Sequence, residues 1–112
     1  MNEQQDALEN VTVLDLTRVL AGPLCTQMLG DMGANIIKVE HPSRGDDTRH
    51  WGPPFADTEA AYFLGVNRNK KSLALDFKSP EGLKILKDLI KKSDVVIDNF
   101  KPGLLGKLGL TN

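Results

Sequence analysis

The fold of this chain is decided by residues 11–23, which read VTVLDLTRVLAGP. The first six of them form a short β-branched and aliphatic run that ends at a polar Thr17, and such a run predicts a buried strand. Pro23 suits the first position of a helix, where a missing N–H is harmless. Apolar side chains then recur at helical spacing and predict an apolar helix face, made of Leu24, Met28 and Met32.

The same alternation of strand and helix runs through the rest of the chain. Three further apolar runs, at residues 35–40, 72–77 and 95–100, predict strands that are wholly or partly buried. Ser79 and Pro80 predict the start of a second long helix, because a hydroxyl cap precedes a proline at the first helical position. The buried stripe of that helix is expected to comprise Leu83, Ile85, Leu86, Leu89 and Ile90. Successive strand–helix–strand units predict an α/β fold, a Rossmann-like parallel sheet with flanking helices.

Composition limits the classes of function. The chain has 112 residues, a formal net charge of −1, 40% hydrophobic residues and 26% charged residues, which is typical of a globular domain. A near-neutral chain has no overall attraction to nucleic acid or to an acidic membrane, and no apolar run approaches membrane-spanning length. The one cysteine, Cys25, excludes an intrachain disulfide and is expected to be a small buried side chain within the first helix.

The chain divides into a polar tail, residues 1–10, and residues 11–112, whose length suits one small domain or an incomplete part of a larger one. The tail has neither the apolar core of a secretory signal nor the arginine-rich pattern of a transit peptide. The expected location is therefore the cytoplasm, or the mitochondrion if the source is eukaryotic.

Ligands of parallel sheets gather at the carboxyl ends of the strands, which here are residues 17–22, 40–41, 77–79 and 99–103. The first turn lacks the G-x-G-x-x-G pattern of dinucleotide sites, although N–H groups at a helix start suit an anion. VNRNKKS, residues 66–72, carries three cationic side chains. It is either a solvated basic turn or a phosphate clamp, and the sequence leaves both interpretations open.

A long loop separates the second and third predicted strands, and it contains GDDTRHWGPPF, residues 45–55. His41 and His50 have no second imidazole at metal-ligand spacing, and the paired aspartates lack the EF-hand pattern, so no metal site is expected. Asp46 and Asp47 are interpreted as turn caps or as partners of Arg44 or Arg49. Residues 58–66 predict a short helix.

These segments together resemble the amino-terminal part of the class III CoA-transferases, the CaiB/BaiF or formyl-CoA transferase-like family. The motifs that carry the resemblance occur in the family's order and spacing: VTVLDLTRVLAGP, GANIIKVEHP, GDDTRHWGPPF, NRNKKSLALDFKSPEG and SDVVIDNFKPG. The GDDTR-WGPPF and NRNKKS forms look most like members that act on dicarboxylic acids, such as the succinyl-CoA:glutarate transferases.

The resemblance implies transfer of CoA between an acyl-CoA and a small carboxylic acid, with coenzyme A as the bound group and no metal. In the family an aspartate attacks the thioester to give a mixed anhydride. That aspartate is expected beyond residue 112, and none of the aspartates here matches it, so these 112 residues alone are not expected to catalyse transfer. Family members form intertwined homodimers, and we expect the isolated segment to be marginally stable or to self-associate.

The resemblance also assigns site residues. The positions that match CoA contacts are Val19, Leu20, Ala21, His41, Leu75, Lys78, Asn99, Phe100, Lys101 and Lys107. Trp51 is expected near the acyl pocket, and Arg49 is expected to meet a substrate carboxylate. Leu20 replaces the glutamine of formyl-CoA-type members, while His41 and Lys107 stand where arginine is usual.

Two other functions fit the same strand ends. A non-catalytic α/β module could hold a dinucleotide or an adenine nucleotide there, and an inactive fragment would have no activity of its own. Preference for CoA over NAD in a binding titration distinguishes the first of these from a CoA-transferase.

Overall fold

The computed structural model describes residues 6–43, 45–50, 55–56 and 59–107. The strands are β1 (Thr12–Asp15), β2 (Asn35–Glu40), β3 (Phe55–Ala56), β4 (Glu59–Ala60), β5 (Lys70–Ala74) and β6 (Val95–Ile97). The helices are α1 (Ala21–Asp31), α2 (Ala61–Val66), α3 (Pro80–Lys92) and α4 (Leu104–Lys107), with a 3-10 turn at Asp47–His50. Among the described helices, none has the length and apolarity needed to cross a membrane.

Four of the strands form one parallel sheet in the order β5-β2-β1-β6. The expected Rossmann-like parallel sheet with flanking helices is thereby confirmed. From β1 the chain moves outward through β2 to β5 and then returns to the other side of β1 with β6. The strand order therefore reverses between β1 and β6, and a crevice opens beyond the carboxyl ends of strands at such a point.

One face of the sheet is covered by α3 and is apolar along its length. Leu14 and Leu16 from β1 and its end, Val39 from β2 and Leu75 after β5 form a buried cluster with Leu86 of α3. Side chains on a strand alternate between faces, so Leu14 and Leu16 share this side while Val13 and Asp15 point to the other. The second cluster, on the α1 side, contains Val13, Ala34 and Ile36.

Helix α3 begins as predicted. The Ser79 hydroxyl accepts a hydrogen bond from the Gly82 N–H, and Pro80 occupies the first helical position. A Cβ on Gly82 would overlap the carbonyl oxygen of Asp76, so the first turn of α3 packs directly on the backbone that follows β5. The predicted stripe is wrong at Ile85, which is 47% exposed, because the helix turns only one side to the sheet.

Helix α1 differs more from the expectation. It starts two residues before Pro23. Its apolar side chains Leu24 and Met28 face outward along with Met32, which follows the helix, and Cys25 is exposed rather than buried. The side chains that α1 buries are Pro23, Thr26 and Gln27.

Two strand predictions need correction. The strand expected at residues 72–77 lies at Lys70–Ala74, two residues earlier, because Lys70 is an inward-facing strand residue with buried partners. The strand expected at 95–100 ends at Ile97, and Val95 and Val96 are exposed because β6 lies at the described edge of the sheet. The short helix expected at residues 58–66 is present as α2, from Ala61.

Leu86 and Ile85 provide a matched test of this packing. Leu86→Ala removes a side chain that is 0% exposed, and we expect the free energy of unfolding to fall by about 2–5 kcal/mol. Ile85→Ala removes a side chain of the same size from the preceding position of α3, where the residue is 47% exposed. The free energy of unfolding should therefore fall much less than in Leu86→Ala. Urea unfolding followed by circular dichroism measures both; equal losses would contradict this placement of α3.

Candidate functional site

The face of the sheet beneath α1 changes from apolar to charged along the strands. Val13 and Asp15 of β1 pair in register with Ile36 and Lys38 of β2, and Lys70 of β5 pairs with Ile36. Residues paired in this way project from the same side of a parallel sheet. Asp15 and Lys38 thus lie toward the carboxyl ends of their strands, where the crevice opens, and the Lys70 side chain reaches Asp15 from the start of β5.

Asp15 is the centre of the first buried group. Its Oδ2 lies 3.1 Å from Lys70 Nζ and accepts a 2.6 Å hydrogen bond from the Thr26 hydroxyl, while its Oδ1 accepts from the Thr17 N–H and hydroxyl. Lys70 Nζ also donates to the Pro23 carbonyl at 2.9 Å and to Asn67 Oδ1 at 2.7 Å. Of the two polar side chains that α1 buries, Thr26 is therefore a partner of a buried carboxylate on the sheet.

Burial lowers the pKa of Lys70, and this effect exceeds the opposing attraction of Asp15; the positive charge of Lys38 lowers it further. The lowered pKa means that the charged form of Lys70 is less favourable here than in water, even though Asp15 lies beside it. A lysine held in this way is a core component and not an exposed phosphate ligand.

Lys38 and Asp46 form the second buried pair. Lys38 Nζ lies 2.9 Å from Asp46 Oδ2 and donates to the Thr17 carbonyl at 2.9 Å. The side chains of Lys38 and Asp46 are 2% and 0% exposed. Asp46 was expected to cap a turn or to pair with Arg44 or Arg49, and that expectation missed Lys38; Arg44 lies outside the described residues.

The backbone between β1 and α1 is held by these groups and by one side chain from the opposite side of the crevice. Asn99 accepts from the Arg18 N–H at 3.2 Å and donates to the Arg18 carbonyl at 2.8 Å. Asp46 accepts from the Val19 N–H, at 3.2 Å to Oδ1 and 3.3 Å to Oδ2. With the contacts at Thr17, five successive backbone polar groups are bound by side chains. We call residues 17–19 the pinned turn.

Val19 adopts φ +77°, in the left-handed region. This conformation is a genuine outlier for a β-branched residue and costs on the order of 1–3 kcal/mol. Glycine is also needed at position 22, three residues later, because a Cβ there would overlap the Thr17 side chain. The sequence TRVLAG thus encodes a turn that is tight and strained.

A cleft of about 280 Å³ lies beside the pinned turn, at the carboxyl ends of β1, β2 and β5 and near that of β6. Its apolar lining comes from Leu16, Val39, Phe77, Phe100 and Leu104. Its polar and charged lining comes from Arg18, Glu40, His41, Asp46, Asp76 and Lys78. The rings of Phe77 and Phe100 lie 6.0 Å apart at 49°, and they form an aromatic wall.

The structure brings several of the predicted site residues to this cleft. His41, Lys78 and Phe100 line it, Leu75 lies in the core cluster, and Asn99 is engaged with the pinned turn. Val19 belongs to that turn, and Leu20 and Ala21 are its continuation into α1. Lys101 is exposed, and for Lys107 the structure describes the backbone, at the end of α4.

The two predicted substrate-pocket residues differ in what the structure describes. Arg49 Nε lies 3.0 Å from both carboxylate oxygens of Glu40, and its Nη2 lies 2.9 Å from Oε2. This geometry fixes the guanidinium beside the cleft wall that Glu40 contributes. Trp51 lies outside the described residues.

The basic segment at residues 66–72 does not act as one unit. Arg68 forms an ion pair with Asp31 at the end of α1, 2.7 Å between Nη2 and Oδ2, and its N–H donates to buried Gln27. The Arg68 hydrogen bond lowers the pKa of Asp31. Since Lys70 is buried against Asp15, the interpretation as a clamp of three cations is wrong for Lys70.

No group of three or more His, Cys, Asp or Glu side chains among the described residues is arranged to hold a metal ion. The cleft offers cations, aromatic rings and apolar surface, and two of the carboxylates in its lining, Glu40 and Asp46, are neutralised by Arg49 and Lys38. Such a lining suits an anionic ligand that also has a flat ring or an apolar arm.

Comparison with known proteins gives the family. The family model described as CoA-transferase family III matches residues 8–112. The chain belongs to CoA-transferase family III. The resemblance noted in its sequence motifs is thus confirmed.

Relatives show how much of a family member these residues span. The human succinyl-CoA:glutarate CoA-transferase is 59% identical over 103 residues, covering 92% of this chain and 24% of that protein. A formyl-CoA:oxalate CoA-transferase from Bradyrhizobium sp. strain ORS 278 is 48% identical over 103 residues, again 92% and 24%. A crystal structure of a CaiB/BaiF family protein from Brucella suis matches with a TM-score of 0.90 and 47% identity, covering 97% of this chain and 30% of that one. The chain spans about a quarter of the length of the curated relatives it matches.

Sequence reasoning missed the buried ion pairs. Asp15, Lys38 and Lys70 were treated as parts of strands or of a basic turn, although a charge at an inward position of a buried strand is a recognisable signal. Such charges predict a buried ion pair but not its partners, since Asp15 of β1 pairs with Lys70 of β5, two strands away, and not with Lys38 of the neighbouring β2. Asp46 gives no comparable signal, because nothing in a loop sequence indicates which strand it will meet.

Lys70 and Lys71 offer a direct test of the first buried pair. Lys70→Met leaves the Asp15 carboxylate buried without its cation, so we expect the free energy of unfolding to fall by about 3–5 kcal/mol. Lys71→Met changes the exposed neighbour on the same strand and should alter it by less than about 0.5 kcal/mol. Chemical denaturation of both variants measures the difference; similar small effects would show that the Asp15–Lys70 pair does not support the fold.

Proposed function

We propose that this chain provides the CoA-binding amino-terminal part of an enzyme that moves CoA between an acyl-CoA and a carboxylic acid. Membership of CoA-transferase family III supports the reaction class. The observation that carries the proposal is the cleft at the carboxyl ends of the strands, because His41, Lys78 and Phe100 meet there at positions that resemble the family's CoA contacts.

The lining suits the parts of CoA. In the proposed complex the Lys78 ammonium pairs with a phosphate, as ammonium groups commonly do. The Phe100 ring offers a face for the adenine, and Leu16 and Val39 offer apolar surface for the pantetheine arm. The turn beside the cleft, through Val19, Leu20 and Ala21, closes around the ligand with its backbone.

A dicarboxylic acid is the favoured acceptor. Relatives named for succinate or succinyl-CoA and glutarate are 59% and 48% identical, and one named for formyl-CoA and oxalate is 48% identical. Glutarate and oxalate are both dicarboxylic acids, and the 59% identity favours glutarate. Leu20 in place of the glutamine typical of formyl-CoA-type members argues in the same direction. Arg49, fixed by Glu40 at the cleft wall, and Trp51 are proposed to shape the acyl pocket.

The nucleophile is proposed to lie outside these 112 residues. Two aspartates line the cleft, and both have other partners: Asp46 is paired with Lys38, and Asp76 accepts a hydrogen bond from the Lys78 N–H. A carboxylate that is buried and bound to a cation is a weak nucleophile for a thioester. The chain alone is therefore expected to bind CoA without transferring it, while the full-length protein works as a homodimer.

Calorimetric titration tests the binding proposal. We expect CoA to bind the chain and to displace NAD, and Lys78→Ala to weaken binding by about tenfold, the effect of losing one phosphate contact of about 1.4 kcal/mol. Lys84→Ala, an exposed lysine on α3 outside the cleft lining, is the matched control and should bind as the parent does. Tighter binding of NAD or ATP than of CoA would instead favour a nucleotide-binding module.

Acceptor preference tests the acyl-pocket proposal. In the full-length protein, Arg49→Lys and Trp51→Phe should change the ratio of kcat/KM for glutarate and oxalate by more than about tenfold, because these side chains are proposed to meet the acceptor and not CoA. The KM for the acyl-CoA donor should change by less than about threefold. A larger effect on the donor than on the acceptor ratio would refute the assignment.

A further inference from the structure

Stability alone does not explain why Lys38 and Asp46 form a buried ion pair. Both side chains are almost wholly removed from water, and their 2.9 Å contact returns only part of the cost of that removal. Apolar side chains of similar size would fill the same space at least as well. The pair is better explained by what its remaining bonds hold in place.

Both Lys38 and Asp46 also form hydrogen bonds with the backbone of the pinned turn. Lys38 donates to the Thr17 carbonyl, and the Asp46 carboxylate accepts from the Val19 N–H while its Oδ2 faces Lys38. Asp46 also lines the cleft. A single carboxylate thus connects the strand β2, through Lys38, to the one turn residue whose backbone is strained.

Strain at Val19 requires such an anchor. A valine at φ +77° returns to the extended region unless the surroundings prevent it. That change requires the peptide plane between Arg18 and Val19 to rotate, which breaks the bond of the Val19 N–H to Asp46 and that of the Arg18 carbonyl to Asn99, or it shifts Leu20 and Ala21, which follow in the chain. The position of Leu20 and Ala21 beside the cleft therefore depends on the Asp46 carboxylate together with Asn99.

We infer that Asp46 is a positioning residue, which, oriented by Lys38, holds the Val19 backbone in the left-handed conformation and so sets the place of Leu20 and Ala21 at the cleft. The inference rests on the proposed function where it takes these residues to contact CoA. A turn that keeps the competent conformation only part of the time binds its ligand more weakly by that fraction.

Asp46→Asn in the full-length protein is the informative variant. Asparagine keeps the size of the side chain but removes the negative charge that pairs with Lys38, and it replaces one of the two oxygens that accept from the Val19 N–H by a donor, so both contacts weaken. If about one molecule in ten keeps the turn, the Kd for CoA and the KM for the acyl-CoA rise about tenfold, with kcat changed by less than about twofold. The matched control is Asp31→Asn, which breaks the exposed Asp31–Arg68 pair and should leave both constants unchanged.

A second measurement follows the turn itself. The three-bond coupling between the amide and α protons of Val19 reports its φ, and we expect it to move in Asp46→Asn toward the value of extended backbone while remaining unchanged in Asp31→Asn. If Asp46→Asn does not fold, Val19→Gly is added to it, because glycine adopts φ > 0 without strain. Recovery of the fold by glycine supports the inference, and continued failure to fold overturns it.

The outcomes separate the two proposals. Equal CoA affinity in the parent and in Asp46→Asn, with the Val19 coupling unchanged, overturns the positioning role and leaves the proposed function standing. If the parent itself does not bind CoA, the proposed function fails, and the Val19 coupling alone decides the role of Asp46. A changed coupling together with weaker CoA binding supports both.

Discussion

Two pairs of oppositely charged side chains are buried on one face of the parallel sheet, and the rest of the structure depends on them. Asp15 with Lys70 and Lys38 with Asp46 lie where hydrophobic packing would ordinarily be expected. Each charge has a partner and additional hydrogen bonds, which is the condition under which buried ions are tolerated. The consequences extend outward: α1 buries Thr26 to bond with Asp15, and the chain leaves β1 in a turn that these charges fix.

The two faces of the sheet therefore bury different kinds of side chain. On the α3 face the buried side chains are apolar, with Leu86 among them. The α1 face instead places polar groups near the switch between β1 and β6, where α/β proteins bind their ligands. The cleft lies at this edge.

Sequence patterns predicted what depends on local chemistry. Strand β2 has the predicted bounds, and Ser79 and Pro80 start α3 because capping and proline effects act within a single turn. The apolar face of α1 was misjudged for a non-local reason: Thr26 and Gln27 are turned inward by partners on the sheet and on the segment before β5, so Leu24 and Met28 face outward. Likewise, the cleft residues His41, Lys78 and Phe100 could be placed near each other by topology, whereas the partner of Asp46 could not, because loop conformation sets it.

The glycine at the start of α3 leaves no gap behind one wall of the cleft. Gly82 lies against the carbonyl of Asp76 without room for a Cβ, so the start of the helix is in direct contact with the backbone that leads into Phe77 and Lys78. The facing wall, which His41, Gly45 and Asp46 contribute, comes from the segment after β2. The two walls of the cleft thus differ in their support: one is backed by a helix, and the other is tied to the sheet by the buried pair of Asp46 and Lys38.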